Sequence, residues 1–248
     1  MRMTRRGLLA GGAGLLLTGC DRLNNSDSFR GILRSAEGLT MRAQRLISDR
    51  NAPAREFSAA DLSPVFRSNG NAFPQMAGYA ELAASGFADW RLRVDGLVRQ
   101  PLSLSLDQIR RMPRRTQITR HDCVEGWSAI GQWTGTPLGI VLDMTGIAAQ
   151  ARYIVFHCMD RFGPHPYYES IDLIDAFHPQ TILAYALNGR TLPIPNGAPL
   201  RLRVERQLGY KHAKYVERIE VRETLIGLHG GRGGYWEDSN DYEWYAGI

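Results

Sequence analysis

Short strand-length runs joined by connections of unequal length limit the fold of this chain more than any other feature. Residues 90–96 (Trp-Arg-Leu-Arg-Val-Asp-Gly) alternate with period two and close on a turn, which predicts a strand. Residues 115–122, 153–158, 200–204 and 216–221 carry further strand-length apolar runs. Residues 183–187 and 191–192 flank Asn188-Gly189, the turn pair that favours a two-residue hairpin. Between these lie two short helix patterns. One runs over 105–112, opened by a capping serine and stopped by Pro113; the other runs over 137–144 with Pro137 in its first turn. Many short strands, few short helices and uneven connections predict an α+β (mixed α/β) fold and argue against a regular βαβ repeat. The glycine cluster at 230–234 follows no strand-to-helix pattern and is not read as a phosphate loop.

The N-terminus reads as an address. Thr4-Arg5-Arg6-Gly7-Leu8-Leu9 has the form of a twin-arginine signal, and the uncharged run over 7–19 is too short to span a bilayer comfortably. Leu17-Thr18-Gly19-Cys20 has the form of a lipobox. It predicts a lipid on Cys20 and attachment to the periplasmic face of the inner membrane; plain cleavage near Gly19 is the alternative. Proteins exported in the folded state often load a cofactor first, so a cofactor is expected. Loss of residues 1–19 removes Arg2, Arg5 and Arg6 and no acid, which takes the net charge from +5 to +2. No nucleic-acid-binding motif is present, and export also argues against such a role. Over 21–50 apolar residues recur with helical period (Ile32, Leu33, Ala36, Leu39, Ala43, Leu46, Ile47), which predicts an amphipathic helix. Residues 51–78 have no period and contain Pro53, Pro64 and Pro74, and read as an extended arm. The expected organisation is a signal with lipobox over 1–20, helix and arm over 21–68, and one domain over 69–248.

The chain has three cysteines. Cys123 follows a strand and precedes a glycine-rich loop (Gly126, Gly131, Gly135), where a thiol can meet a ligand as a metal ligand or a nucleophile. A disulfide with Cys158 is a third option for an exported protein. The six histidines are scattered without metal-ligand spacing, and no Cys-x-x-Cys, His-Glu-x-x-His or Gly-x-Ser-x-Gly is present. His121 as a base for Cys123 is disfavoured, because side chains two apart on a strand run parallel rather than converge. One soft thiolate on a transition metal needs further ligands, which a cofactor bearing its own sulfurs would bring. Such a cofactor needs polar partners and a phosphate clamp. Asn196-Gly197-Ala198-Pro199-Leu200-Arg201 and Gly209-Tyr210-Lys211-His212-Ala213-Lys214 are candidates, the second having a solvated basic turn as its alternative.

These motifs, taken together, resemble the molybdopterin-binding domain of the sulfite oxidase family. The carriers are Val94-Asp95-Gly96-Leu97-Val98 with Pro101, Cys123-Val124-Glu125-Gly126-Trp127-Ser128, and Trp133-Thr134-Gly135-Thr136-Pro137-Leu138. His178-Pro179-Gln180-Thr181, Leu192-Pro193, the 196–201 motif and Gly209-Tyr210-Lys211 with Lys214 continue the series in the family's order. The likeness runs from about Asn69 to the C-terminus and is greatest to the exported, haem-free sulfoxide reductase branch. It implies a molybdenum–molybdopterin cofactor and two-electron oxygen-atom transfer to or from a small substrate. A sulfite dehydrogenase is the alternative within the family, and a non-catalytic lipoprotein on this fold the alternative outside it. It implies Cys123 as the protein ligand to molybdenum, and Asn71, Pro74, Gln75 and Cys158 beside the cofactor. Pro74 and Gln75 stand where the reductases have an aromatic and an acidic residue, and Cys158 where they have a threonine. Asn196, Arg201, His212, Ala213 and Lys214 would hold the pterin and its phosphate, Lys214 as a point charge. Residues 162–168, aromatic with one histidine, are placed at the entrance, with Arg120 and Arg161 as the cations a sulfite site would use. A separate membrane haem protein or soluble cytochrome is implied as electron partner, and a monomer is expected.

Overall fold

The structure is a computed structural model that describes residues 26–47 and 49–248. The arginine pair and Cys20 lie outside the described residues. The chain divides between Asp49 and Arg50 into two compact units. The described part of the first is helix α1 (Asp27–Ile47), whose start is marked by Phe29 N–H donating to Ser26 Oγ at 3.5 Å. Its leucines and isoleucines at 32, 39, 46 and 47 are exposed.

The second unit holds short helices α2 (Tyr79–Ala84), α3 (Leu106–Arg111), α4 (Leu138–Thr145), α5 (Leu173–Ala176) and α6 (Tyr235–Asn240). Its strands are β1 (Arg91–Gly96), β2 (Leu102–Ser105), β3 (Arg115–Asp122), β4 (Ser128–Pro137) and β5 (Tyr153–Phe162). They continue with β6 (His165–Asp172), β7 (Ile182–Leu187), β8 (Arg190–Thr191), β9 (Arg201–Arg203) and β10 (Val216–Arg222). One sheet has the order β2-β1-β10-β5-β6, with β1 and β10 parallel and the rest antiparallel. The other runs β3-β4-β7-β8, with β9 also paired to β7. This is the mixed α/β architecture that the irregular spacing predicts.

The principal core joins β1 (Leu92, Val94), β5 (Ile154, Phe156) and β10 (Ile219, Val221) to α4 (Val141, Leu142) and to Leu183 and Tyr185 of β7. Ile182 and Ala184, on the opposite face of β7, pack with Trp133 and Phe66 in a smaller cluster. A strand covered on both faces has no use for polar alternation, so Ile-Leu-Ala-Tyr-Ala-Leu reads as one apolar run. At the turn that follows, Asn188 and Gly189 both have positive φ, 51° and 73°, as a primed hairpin turn requires. Helix α3 carries its predicted cap: Gln108 N–H donates to Ser105 Oγ at 3.1 Å and Ser105 N–H to Gln108 Oε1 at 2.8 Å.

One expectation is corrected, and one strand was not anticipated. Gly131 and Gly135 lie in β4, not in a loop. A Cβ at 131 would meet the Phe66 ring at 2.8 Å, and one at 135 would strike the backbone of β7, so these glycines mark close packing within a strand. Strand β6 begins among residues 162–168 and is buried along most of its length, carrying Glu169 and Ser170 inward; these polar residues hid its pattern. The arm lies along the free edge of β3, where Phe57 N–H donates to Ile118 O at 2.9 Å, and further on Ser63 N–H reaches Ile130 O of β4 at 3.0 Å. It thus covers an edge that would otherwise offer unpaired backbone groups.

Candidate active site

The hairpin β3–β4 turns over residues 123–127. Cys123 N–H donates to Trp127 O at 2.9 Å and Gly126 N–H to Cys123 O at 3.0 Å, with Gly126 at φ 86° completing the turn. This holds Cys123 at the rim of a cavity whose other walls come from five distant segments. The arm supplies Asn69, Gly70 and Asn71; the end of β5 supplies Asp160 and Phe162; the 209–214 loop supplies Tyr210, His212 and Lys214. Tyr167 of β6 and Trp236 and Tyr242 of the C-terminal tail complete it. Burial pushes the Cys123 thiol up from its ordinary value.

A register shift in β5 between His157 and Arg161 decides which of its side chains reach the cavity. Cys158, Met159 and Asp160 are consecutive and all buried. Asp160 faces the cavity, while Cys158 belongs to the core, its Sγ lying 3.9 Å from Phe156 O. Burial holds the Cys158 thiol well above its usual range. Cys123 and Cys158 are both free thiols, so the disulfide reading is set aside.

Lys214 fastens the arm. Its ammonium donates to Asn69 O (2.6 Å), Asn71 O (2.5 Å) and Pro195 O (2.7 Å), with Ser68 Oγ at 3.3 Å. Gly197, at φ 112°, makes room for it, since a Cβ there would lie 3.0 Å from that of Lys214. Burial and the Arg201 charge lower Lys214 to about 7. Arg201 is fully buried, donating to Asn196 O and Asn69 Oδ1, both at 3.1 Å, and is lowered to about 9 by burial and by Arg203. His212 is held neutral by burial and Arg203, its Nε2–H donating to Gln207 O at 3.0 Å.

Four buried polar atoms in this region have no partner: His212 Nδ1, Asp160 Oδ1, Asn196 Nδ2 and Arg201 Nε. The first two belong to lining residues; Arg201 donates to the lining residue Asn69 and to the carbonyl of Asn196. An unpaired buried polar group costs about 1–3 kcal/mol, so a cluster of four points to a polar ligand. Acceptors on His212 and Asp160 with donors on Asn196 and Arg201 match a heterocycle bearing both kinds of group, and Lys214 and Arg201 match a phosphate. Among the described residues no three His, Cys, Asp or Glu side chains are grouped to hold a metal. The donor set is therefore one soft thiolate, which suits a metal carried by its own sulfur ligands. The residues fit a metal-bearing pterin.

Of the residues singled out from sequence, the cavity brings together Cys123, Asn71, His212 and Lys214; Arg201 does not line it but donates to Asn69, which does, and to the carbonyl of Asn196. Ala213 is buried with its N–H given to Lys211 O and its carbonyl to Leu202 N–H, leaving no free group. Pro74 is buried, Gln75 is exposed, and neither lines the cavity. Sequence reading missed Asp160, Trp236 and Tyr242. The last two lie in an aromatic-rich tail without period, where only composition hinted at a role.

Residues 66–225 match the family model described as "Oxidoreductase molybdopterin binding domain". The chain belongs to this family and is a molybdopterin-dependent oxidoreductase. It is 36% identical over 243 residues to the "Putative protein-methionine-sulfoxide reductase subunit YedZ1" of Azospira oryzae, a match covering 98% of this chain and 86% of the relative. It is 37% identical over 147 residues to the protein-methionine-sulfoxide reductase catalytic subunit MsrP of Xanthomonas campestris, covering 55% of this chain and 46% of that protein. The sulfane dehydrogenase SoxCD of Paracoccus pantotrophus shares the fold, with a TM-score of 0.50 and 22% identity over 55% of this chain and 39% of the other.

Proposed function

We propose that this protein reduces neutral sulfoxides of the methionine type, with electrons from a separate membrane haem protein or soluble cytochrome. The observation that carries the reading is the character of the wall beside Cys123. It presents Glu125, Asp160 and the rings of Phe162, Tyr167, Tyr210, Trp236 and Tyr242, with no arginine among the lining residues. Arg120 is held by Asp122 at 2.9 Å, and Arg161 by the Pro164 carbonyl. The one lining ammonium, Lys214, is assigned to the cofactor's phosphate, so a sulfite dianion would meet Glu125 and Asp160 with no arginine to offset them, and like charges at a dehydrated contact cost several kcal/mol. A sulfoxide is neutral, and its flanking methyl and methylene groups suit aromatic faces. The relatives' names point the same way, and the sulfite alternative is less well supported. The set of unpaired polar atoms behind a retained thiol argues against a non-catalytic role.

When bound, the cofactor's molybdenum supplies two-electron oxygen-atom transfer. In sum, the sulfoxide takes two electrons and two protons and leaves as thioether and water. In this reading Cys123 is the metal's protein ligand. Asn71, Asn196 and His212 hold the pterin, and Lys214 and Arg201 its phosphate. The aromatic ring keeps water from the reacting sulfur.

We further propose export by the twin-arginine route and attachment to the inner membrane through a lipid on Cys20. Helix α1 supports this. On a helical wheel Ile32, Ala36, Leu39, Ala43 and Leu46 fall on one face, with Arg42 at its flank and Arg45 across from it. A helix of that kind lies in the plane of an anionic membrane. Flotation of a Cys20→Ser protein with anionic but not zwitterionic vesicles, lost on Leu39→Asp, is the expected result; no flotation with either vesicle would remove this role for α1.

The test of the main reading is enzyme purified after export, assayed for molybdenum and for turnover of methionine sulfoxide and sulfite beside a Cys123→Ser variant. Bound molybdenum with sulfoxide reduction that the variant loses is expected. A loaded enzyme that oxidises sulfite and leaves sulfoxide untouched would overturn it.

A further inference from the structure

The family match ends at residue 225, yet two of the aromatic side chains on the cavity wall, Trp236 and Tyr242, come from beyond it. Their placement is built in. Glu237, next to Trp236, is fully buried and accepts from Lys211 Nζ at 2.6 Å; Glu169 of β6 accepts from the same ammonium at 2.9 Å. All three side chains are sealed from solvent. A Cβ at Gly234 would strike both carboxylates, so the tail passes flush over them. Beyond Trp236 the tail is tied again: Tyr210 O–H donates to Glu243 O at 2.7 Å, Trp244 Nε1–H to Ser170 Oγ at 2.8 Å, and Leu208 N–H to Ala246 O at 2.9 Å. Between these ties Trp236 meets the Phe162 ring at 5.1 Å and Tyr242 at 5.9 Å. A surface tail would not need a buried lysine and two buried carboxylates; a wall that must stay within a fraction of an ångström would.

We propose that Trp236 and Tyr242 are specificity-determining residues that receive the apolar arm of the substrate, and that Lys211 is a positioning residue holding that wall against Cys123. The substrate class rests on the sulfoxide reading; the wall does not. The exported, loaded enzyme is compared with Trp236→Ala using dimethyl sulfoxide and methyl phenyl sulfoxide. The variant is expected to raise the ratio of KM for the phenyl compound to KM for dimethyl sulfoxide about tenfold, the scale of one lost apolar contact. A second readout needs no turnover. In cofactor-free protein, alkylation of Cys123, located by peptide mass, is timed with iodoacetamide and with bulkier N-phenylmaleimide. Trp236→Ala should speed the bulky reagent about fivefold or more relative to the small one. Lys211→Met should shift both ratios the same way without adding to Trp236→Ala, which a merely stabilising role would not do. If Lys211→Met does not fold, Glu237→Gln carries that test. Unchanged ratios in both assays overturn the proposal. A shifted alkylation ratio in an enzyme that reduces no sulfoxide supports the wall and rejects the substrate class.

Discussion

Lys211 and Lys214 lie three residues apart in one loop, both are buried, and their surroundings set them opposite tasks. Around Lys211, burial alone would depress the ammonium, but Glu169 and Glu237 more than offset it and the net direction is upward. Its charge is spent inside the protein. Around Lys214 there are carbonyl oxygens and a hydroxyl, no carboxylate touches it, and burial with Arg201 draws it down to about 7. A cation held by dipoles alone, beside a second cation, favours an incoming anion. The difference shows that a basic loop is not one feature: one lysine has its charge matched by carboxylates and fixes the wall of the site, and its neighbour ties the arm while its charge stays unmatched beside the cavity.

Replacing Lys211 by Met should break the comparison most forcefully. Two buried carboxylates would lose their shared cation, at a cost of about 3–5 kcal/mol in denaturant unfolding. Adding Glu169→Gln and Glu237→Gln should recover much of it, and no recovery would mean that the aliphatic stem matters more than the charge.

Asp160 sharpens the contrast from the acidic side. Burial raises its carboxyl from 3.8 to about 6, Asn71 and Lys214 opposing. The folded state therefore holds this proton while the unfolded chain has released it, so stability falls as pH rises from about 4 to about 6. Asp160→Asn should remove that slope and gain up to about 3 kcal/mol above pH 6 in cofactor-free protein. Parallel stability–pH curves for the two proteins would show that Asp160 is ionised throughout.

Lys214→Met should cost about 2 kcal/mol of cofactor-free stability, because carbonyls it served lose their donor. Its larger effect should be on retention of molybdopterin, measured as bound molybdenum after gel filtration. A variant that keeps its full metal content would assign the phosphate to Arg201 alone. The smallest change is Cys158→Ala, about 1 kcal/mol for a small core truncation, with metal content unaltered. Metal loss there would place Cys158 beside the cofactor after all.

The legible parts of the fold are those with local causes. The Ser105–Gln108 cap, the Asn188-Gly189 turn and the alternation of β1 are each written within a few residues. Strands β4 and β6 were not legible, because glycines answering to Phe66 and β7, and acids answering to Lys211, interrupt their patterns from a distance. Within the site, Cys123, Asn196, Arg201 and Lys214 stood out as chemistry-bearing residues in recognisable strings. Asp160, Trp236 and Tyr242 did not, since nothing around them in sequence distinguishes a wall from a surface.

The sequence by itself determined the irregular mixed α/β class, the turn that presents Cys123 and the inventory of cations near residue 210. Local backbone preference and side-chain type are enough for these. Tertiary structure alone decided which cysteine meets the cavity, through a register shift in β5 that sends Cys158 to the core and Asp160 to the site. It also decided which lysine is neutralised, because Glu169 and Glu237 reach Lys211 from 42 and 26 residues away. Charge in a buried site depends on what surrounds it in space, and chain order does not carry that information.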